Sequence, residues 1–414
     1  MQTEAIILSG GLGTRLRDAV PDLPKCLAPV AGRPFLSYVI DYLQAQGIEK
    51  FIFSLGYMHQ LIEQYLTENY TALNYTTVIE TEPLGTGGAI QLAMQKAKAE
   101  KVFVTNGDTL FKIQLRQMMA VHQSSNAECT VALKPMKAFD RYGCVTINEQ
   151  NQITSFKEKQ FYAEGLINGG SYFINKKKFL QHSFPQKFSF EKDYLEKFAA
   201  DEKFYASVQD EYFIDIGIPQ DFEQAQKDLQ HKPVDLTKID KSWTLFLDRD
   251  GVLNNEIKGE YLLNWKEFIF SNGVLEVFKK LNHVFGRIII ITNQRGVTKE
   301  LMTEEDLLSI HSKMQREVET AGGRIDAIYY CTHLDEKCFQ RKPNPGMALL
   351  AAKDFPEIDF SKSVMVGNKP SDARFGRAAG MQTVFVTTTN PGQTFPHPDI
   401  DFMFPSLPAF AQAL

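Results

Sequence analysis

Short apolar runs alternate with amphipathic stretches through the first half of this chain, and the same alternation restarts after residue 241. Residues 5–8, 51–55, 77–79 and 102–105 read as strands, with helical patterning over 36–46 and 60–68 between them. In the second half 244–247, 288–292, 327–331, 363–366 and 383–386 read the same way. Strands separated by helix-length segments predict βαβ units and a parallel sheet. Between the two series lies HKPVDLTKIDK, residues 231–241, a polar and proline-bearing stretch that reads as a linker. The expected division is a domain over 1–230, a linker over 231–241 and a domain over 242–414. From 129 to 174 the apolar segments are shorter and more strand-rich, which predicts a mixed sheet carrying a lid over a substrate. No internal repeat is visible, and no hexapeptide pattern follows the first series, which excludes a β-helix extension.

Composition narrows the partners more than the fold. A chain of 414 residues, 43% hydrophobic and 23% charged, has material for more than one core. A net charge of -5 gives no electrostatic footprint for nucleic acid, so phosphate specificity has to come from local cations. Five cysteines, an odd and sparse set, do not make a disulfide framework. The opening Met1-Gln2-Thr3-Glu4 has neither the basic nor the apolar character of a secretory leader, and no run of ~20 apolar residues could span a bilayer. The expectation is a cytoplasmic chain whose partners are small molecules, not nucleic acid or membrane.

The first apolar run ends in Gly10-Gly11-Leu12-Gly13-Thr14-Arg15. Glycines there let backbone N–H groups approach phosphate oxygens without a Cβ in the way, and a following helix N-terminus favours negative charge. A plain tight turn explains the glycines alone equally well, and no Gly-Lys-Ser/Thr follows, so this is not a P-loop. The cations tip the balance: Arg15 follows directly, and Lys25 stands in Pro24-Lys25. GGxGTRL followed by PK resembles the sugar-1-phosphate nucleotidyltransferases, over about residues 3–230.

Further segments resemble that family in the same order. Glu82-Pro83-Leu84-Gly85-Thr86-Gly87-Gly88 resembles its nucleobase loop, with Gly85 and Thr86 against the nucleotide. Asp108, ending Val104-Thr105-Asn106-Gly107-Asp108, and Asp215, in Phe213-Ile214-Asp215-Ile216-Gly217, stand where the family places magnesium ligands. Phe156-Lys157-Glu158-Lys159 resembles its clamp, Glu158 on sugar hydroxyls and Lys159 on the sugar phosphate, although Gln160 replaces the usual proline. Asn168, in Asn168-Gly169-Gly170, fits the sugar-binding turn. The resemblance implies that Gly10, Gly11, Gly13 and Thr14 cradle the triphosphate while Arg15 and Lys25 offset its charge. Lys134 reads as a surface residue.

The second series opens on a strand ending in Asp248-Arg249-Asp250-Gly251. Two carboxylates at i and i+2 on a strand-to-loop turn can serve as nucleophile and acid/base while sharing one metal. A solvated turn or part of a calcium loop shows the same spacing. After an apolar strand, this pattern resembles the haloacid dehalogenase (HAD) superfamily, over about residues 243–414. Its other pieces follow in order: Thr292, Lys342 in Arg341-Lys342-Pro343, and Gly367-Asn368-Lys369-Pro370-Ser371-Asp372. The resemblance implies that Asp248 attacks phosphorus, Asp250 moves protons, and Thr292 and Lys342 hold phosphoryl oxygens. It implies magnesium at Asp248, the Asp250 carbonyl and Asn368, with Asp372 compensating because Asn368 stands where the family has an aspartate.

DRDGVLNN, 292–297 and 341–347 most resemble the bisphosphate phosphatases of heptose biosynthesis and the related histidinol-phosphate phosphatases, whose small loops replace a large cap. Asn293 and Arg341 then become candidates for contacting the non-reacting part of the substrate. Relatives often hold a structural zinc near Cys331, His333 and Cys338; here Gln340 replaces the fourth ligand, and three ligands fall short of the usual four. Zinc at Cys331, His333 and Cys338 therefore stands as an alternative to reduced, metal-free thiols.

Together the resemblances imply an α/β chain: an N-terminal Rossmann-like, GT-A-like nucleotidyltransferase domain and a C-terminal HAD-like Rossmannoid domain without a large cap. The implied function is bifunctional, with Mg2+ at both sites. One site removes the 7-phosphate of D-glycero-D-manno-heptose 1,7-bisphosphate, and the other transfers GMP from GTP to the heptose 1-phosphate. Two alternatives stay open. One is a mannose- or other hexose-1-phosphate transferase joined to a histidinol-phosphatase-like unit; the other is an active transferase carrying a non-catalytic docking module.

Overall fold

The computed structural model describes residues 3–11, 16, 20–157, 159–201, 203–257 and 259–414; the expected site residues Gly13, Thr14, Arg15 and Glu158 lie outside them. The chain forms two compact units, Met1–Gln230 and His231–Leu414. In the first, strands Lys101–Asn106, Glu4–Ser9, Lys50–Leu55 and Tyr75–Ile79 lie side by side and parallel. Successive residues serve opposite faces: Ile7, Phe51 and Phe53 enter one core, Ile6, Ile52 and Val104 the other. Helix Phe35–Ala45 covers the first face and helix Gly85–Met94 the second. Burial on both sides is why these strands are continuously apolar rather than alternating.

Beyond Lys101–Asn106 the sheet turns antiparallel, through Tyr162–Asn175 to Cys129–Phe139 and Cys144–Ile147. The two long strands run 11 and 14 residues, not the short segments the pattern suggests. Polar residues within them, Lys134, Lys137 and Glu164 among them, break the apolar run without breaking the ladder. The pairing of the two long strands shifts register between Asn168 and Tyr172, and over the same stretch the longer strand exchanges Cys144–Ile147 for Lys101–Asn106 on its other edge. A separate two-stranded ribbon pairs Thr109–Phe111 with Phe213–Asp215 and sets Asp215 opposite Thr109.

In the second unit all strands are parallel, in the spatial order Ala327–Cys331, Arg287–Asn293, Thr244–Leu247, Ser363–Gly367, Gln382–Val386, Phe402–Phe404. The winding reverses between Thr244–Leu247 and Ser363–Gly367, and in such sheets a crevice opens at the carboxyl ends of the strands where it does. Leu245, Leu247, Ile288 and Ile290 face one core, Phe246, Ile289, Ile291 and Met365 the other. Between Asp248 and helix Val274–Val284 the described residues form turns, isolated bridges and a single short helical turn, Trp265–Glu267, so a loop rather than a cap domain follows the first strand. Residues 231–241 pack with this unit: His231 Nε2 is 2.8 Å from Asp401 Oδ1, and Ile239 is buried. Among the described residues no helix is long and apolar enough to cross a membrane.

Candidate active sites

In the first unit the short ribbon brings two distant aspartates together, with Ile216 N donating to Asp108 O at 3.1 Å. Lys25 enters between them from the turn Lys25–Leu27. Its Nζ donates to Asp108 Oδ2 at 2.6 Å and to Asp215 Oδ1 at 3.1 Å. Burial disfavours that ammonium, but the two carboxylates outweigh burial and hold its pKa above the ordinary lysine value. Asp215 Oδ1 also accepts from Gly217 N at 2.8 Å. A Cβ at Gly217 would lie 2.8 Å from Lys25 Nζ, so a side chain there would crowd the ammonium in its present place. Gly107 is required for a similar reason, since a Cβ there would meet Ser9 Oγ at 2.2 Å.

The other expected residues of this unit are spread around that centre. Gly10 follows the first strand, and a Cβ there would meet Glu80 Oε1 at 2.6 Å; Gly11 is open to solvent. Glu80 accepts from Leu84 N at 3.2 Å and from Ser54 Oγ at 3.4 Å, and burial raises its pKa. Gly85 begins helix Gly85–Met94 at φ +72°, against the Phe188 carbonyl, and Thr86 Oγ1 accepts from Phe190 N at 3.0 Å. Asn168 sits at the register shift, donating to Tyr172 OH and accepting from Gly170 N, both at 3.0 Å. Lys159 is exposed, and Lys134 pairs with Asp210.

The second unit repeats the motif of a lysine between two aspartates, this time buried. Lys342 Nζ lies 2.7 Å from Asp248 Oδ1 and 2.7 Å from Asp372 Oδ1, and it also donates to Ile291 O at 2.9 Å. Asp248 follows the central strand, and its N donates to Val366 O at 3.0 Å. Burial and the neighbouring Asp372 push its carboxyl up to about 7, while Lys342 pulls it back. Asp372 Oδ2 accepts from Asn368 N and Lys369 N at 3.1 and 3.0 Å, so it caps helix Pro370–Ala379 while its other oxygen holds Lys342.

Asp250 is held by three donors that the aspartate spacing does not announce. Arg249, 1% exposed, donates Nη2 to Oδ2 at 2.9 Å and Nε to Oδ1 at 3.1 Å. Gln294 Nε2 and Asn254 Nδ2 donate to Oδ2 and Oδ1 at 2.9 and 3.1 Å. Burial works to raise the Asp250 pKa, but these three donors prevail and hold it below the ordinary carboxylate value. His311, its pKa pushed down to about 3 by burial and the Arg249 charge, stays neutral and can accept from Arg249 Nη1 at 3.1 Å. Thr292 is buried at the end of the adjacent strand, its Oγ1 accepting from Gln294 Nε2 at 2.7 Å.

Asn293 and Arg341 turn toward the protein. Asn293 makes a reciprocal pair with the backbone of Lys342, Nδ2 to O and N to Oδ1, each 3.1 Å. Arg341 holds the carbonyls of His333 and Leu334 at 3.1 and 2.9 Å and reaches Glu336 at 3.3 Å. The zinc alternative finds no support: among the described residues no three His, Cys, Asp or Glu side chains are grouped to hold a metal. Cys338 Sγ instead donates to Gln340 Oε1 at 3.5 Å, and Cys331 is buried with its thiol pKa raised to about 11, chiefly by burial.

For magnesium the residues do fit. Asn368 is fully buried, yet its Oδ1 has no hydrogen-bond partner, one oxygen left over at the strand end next to that of Asp248. An orphaned amide oxygen on a strand end adjacent to one that ends in a carboxylate offers oxygen donors suited to a hard divalent cation. Asp248, the Asp250 carbonyl and Asn368 are the groups that would hold it.

Residues 4–232 match the family model described as nucleotidyl transferase, more than half of the chain. The chain belongs to the nucleotidyl transferase family. Its first unit is similar to the D-glycero-alpha-D-manno-heptose 1-phosphate guanylyltransferase of Aneurinibacillus thermoaerophilus, 52% identical over 55% of this chain and 99% of that protein. The crystal structure of HddC from Yersinia pseudotuberculosis is 36% identical, covers 55% of this chain and 100% of that one, and superposes with a TM-score of 0.50. Residues 339–407 match a HAD-hydrolase-like model. The second unit is similar to the D-glycero-alpha-D-manno-heptose-1,7-bisphosphate 7-phosphatase of Mycobacterium bovis, 37% identical over 31% of this chain and 69% of that protein. This nucleotidyl transferase is thus joined to a HAD-like phosphatase unit in one chain. In the transferase unit the residue that sequence reasoning passed over is Glu80, directly after a strand and just before the quoted glycine loop; in the HAD-like unit it is Arg249 and Gln294, adjacent to residues that were named.

Proposed function

We propose that the two units act in sequence on one heptose. The carrying observation is that one relative's name specifies removal of the 7-phosphate from a 1,7-bisphosphate, and the other's specifies use of the 1-phosphate that remains. Joined in one chain, the product of the second unit is the substrate of the first.

In the HAD-like unit Asp248 attacks the 7-phosphorus and forms an aspartyl-phosphate, releasing the sugar oxygen. Lys342 neutralises the nucleophile's surroundings and, with Thr292, faces the phosphoryl group. Asp250 takes a proton from water in the second step and carries it into the next cycle, where it passes to the leaving oxygen. Arg249, Gln294 and Asn254 favour its ionised form, which suits the base role. Magnesium at Asp248 and Asn368 would offset charge on the phosphoryl oxygens.

In the transferase unit an oxygen of the heptose 1-phosphate attacks the α-phosphorus of the nucleoside triphosphate and pyrophosphate leaves. Positioning and charge neutralisation carry such a step. Lys25 supplies a cation that can leave the two aspartates for the phosphates; Arg15 and the glycine loop would offset triphosphate charge, and Asp108 and Asp215 would hold magnesium, whose role is again to offset phosphate charge. GTP is the nucleotide this reading selects, supported by Glu80: a half-buried carboxylate can accept both donors on the Watson–Crick edge of guanine, which no other base offers to it in pairs.

The test offers the full chain heptose 1,7-bisphosphate, Mg2+ and each of four nucleoside triphosphates, with products identified by mass. GDP-heptose, phosphate and pyrophosphate are expected. Glu80→Gln should narrow the preference for GTP over ATP by about tenfold, the value of one charged hydrogen bond. Free phosphate without nucleotide transfer, or transfer to mannose 1-phosphate at equal efficiency, would sink the assignment.

A further inference from the structure

Asn368 is almost completely accounted for. Its N donates to Asp372 Oδ2 at 3.1 Å, and its O accepts from Asn390 Nδ2 at 2.6 Å. Its Nδ2 donates to Thr389 Oγ1 at 2.6 Å and to Glu256 Oε2 at 3.2 Å, which leaves Oδ1 alone. A side-chain amide can turn over, exchanging its oxygen for its NH2, unless its neighbours forbid it. Thr389 does not forbid it, because a hydroxyl can donate as well as accept. Glu256 does: a carboxylate only accepts, so the NH2 must face it and Oδ1 must face away. Glu256 is itself fixed by Lys369, Nζ to Oε1 at 2.6 Å. Gly251 completes the fit, at φ +85°, where a Cβ would meet Asn368 Nδ2 at 2.2 Å.

We propose that Glu256 is a positioning residue for the divalent-cation site of the HAD-like unit. It keeps the Asn368 amide turned so that its oxygen, and not its NH2, is presented on the side of Asp248. An amide at this position works only with such a partner, because turned over it would offer the cation two N–H dipoles. An aspartate at 368 would need no such partner and would meet the Glu256 carboxylate across about 3 Å with like charge. The inference rests on the phosphatase reading above.

The test is Mn2+ binding to the full chain, read from the free-ion electron paramagnetic resonance signal, which does not depend on turnover. Asp248→Asn should remove one class of Mn2+ sites and so identify the class belonging to this unit. Glu256→Gln should weaken that same class by about tenfold, the scale of groups that orient metal ligands, and leave the other class unmoved. Asn368→Asp alone should not tighten it. The pair Glu256→Gln with Asn368→Asp should restore or exceed the original affinity, because the new amide can donate to the new carboxylate. Thermal unfolding in a chelator should give the same midpoint for Glu256→Gln as for the parent, which separates positioning from loss of fold. Unchanged affinity in Glu256→Gln, or no rescue in the pair, overturns the proposal while leaving the phosphatase reading intact. If Asp248→Asn removes no class, the phosphatase site reading falls and the proposal with it.

Discussion

Lys25 and Lys342 each stand between two aspartates brought from distant parts of the chain, yet the two clusters live in different media. The side chains of Lys25, Asp108 and Asp215 are 12%, 31% and 30% exposed. Those of Lys342, Asp248 and Asp372 are 3%, 7% and 1% exposed. Water screens the first cluster, so its ammonium and carboxylates can part when a triphosphate and its cation arrive. The second is screened little, and separating its charges leaves a buried ion unpaired. The same three residue types thus make an exchangeable counter-ion in one unit and a fixed strut in the other.

The contrast breaks most visibly at the nucleophile. Asp248→Asn should lower phosphate release from the bisphosphate on the order of 10⁴-fold, measured by a phosphate assay. Transfer to supplied heptose 1-phosphate should be untouched; loss of both activities would mean the units are not independent. Next in size, Lys342→Ala should destabilise its unit by about 3–5 kcal/mol, since two buried carboxylates lose their cation. Lys25→Ala should destabilise its own unit less than Lys342→Ala does the other, because both its aspartates keep about a third of their surface in water, while slowing nucleotidyl transfer on the order of 10²-fold. Calorimetry of the full chain reads the first pair of effects and pyrophosphate release the last; equal shifts in stability would erase the distinction drawn from burial.

A smaller effect concerns pH. Burial works to raise the Asp401 pKa, but His231 and Arg377 prevail and hold it below the ordinary value, with Arg377 Nη2 donating at 2.5 Å. A depressed folded-state pKa stabilises fully above the unfolded value, about 4, and the contribution fades as pH falls through the folded one. Melting midpoints of the second unit should therefore fall on acidification below about pH 4, and Asp401→Asn should flatten that acid limb. The smallest effect belongs to Lys134→Ala, which should change melting by no more than about 0.5 kcal/mol and neither activity.

Much of this was legible in the sequence because fully buried parallel strands announce themselves as unbroken apolar runs. The 244–247 and 327–331 strands have the bounds the pattern suggests, and the others differ by a residue or two at their ends. The 162–175 strand was not legible: small and polar residues such as Glu164, Asn168, Gly169 and Gly170 interrupt its apolar pattern, and its identity comes from pairing partners that only the fold supplies. Asp248 and Asp250 were named because paired carboxylates after a strand suit the chemistry, and Lys342 because the resemblance to the HAD superfamily places a lysine there. The residues that hold them in place were not, since Arg249 reads as a solvated charge between two aspartates until it is found buried against both Asp250 and Gln294. Asn293 shows the converse: a polar side chain beside a site residue reads as a ligand group, and the structure gives both its atoms to a backbone.

Gly217 has a use beyond permitting a close approach. Its missing Cβ is the gauge of the space between Asp108 and Asp215, because one added methyl would stand 2.8 Å from the ammonium and 2.9 Å from a carboxylate oxygen. Gly217→Ala therefore crowds the ammonium and obliges it to shift without deleting a single charge. It separates, in one methyl group, how much of this centre's action depends on which ions are present and how much on the size of the seat they share.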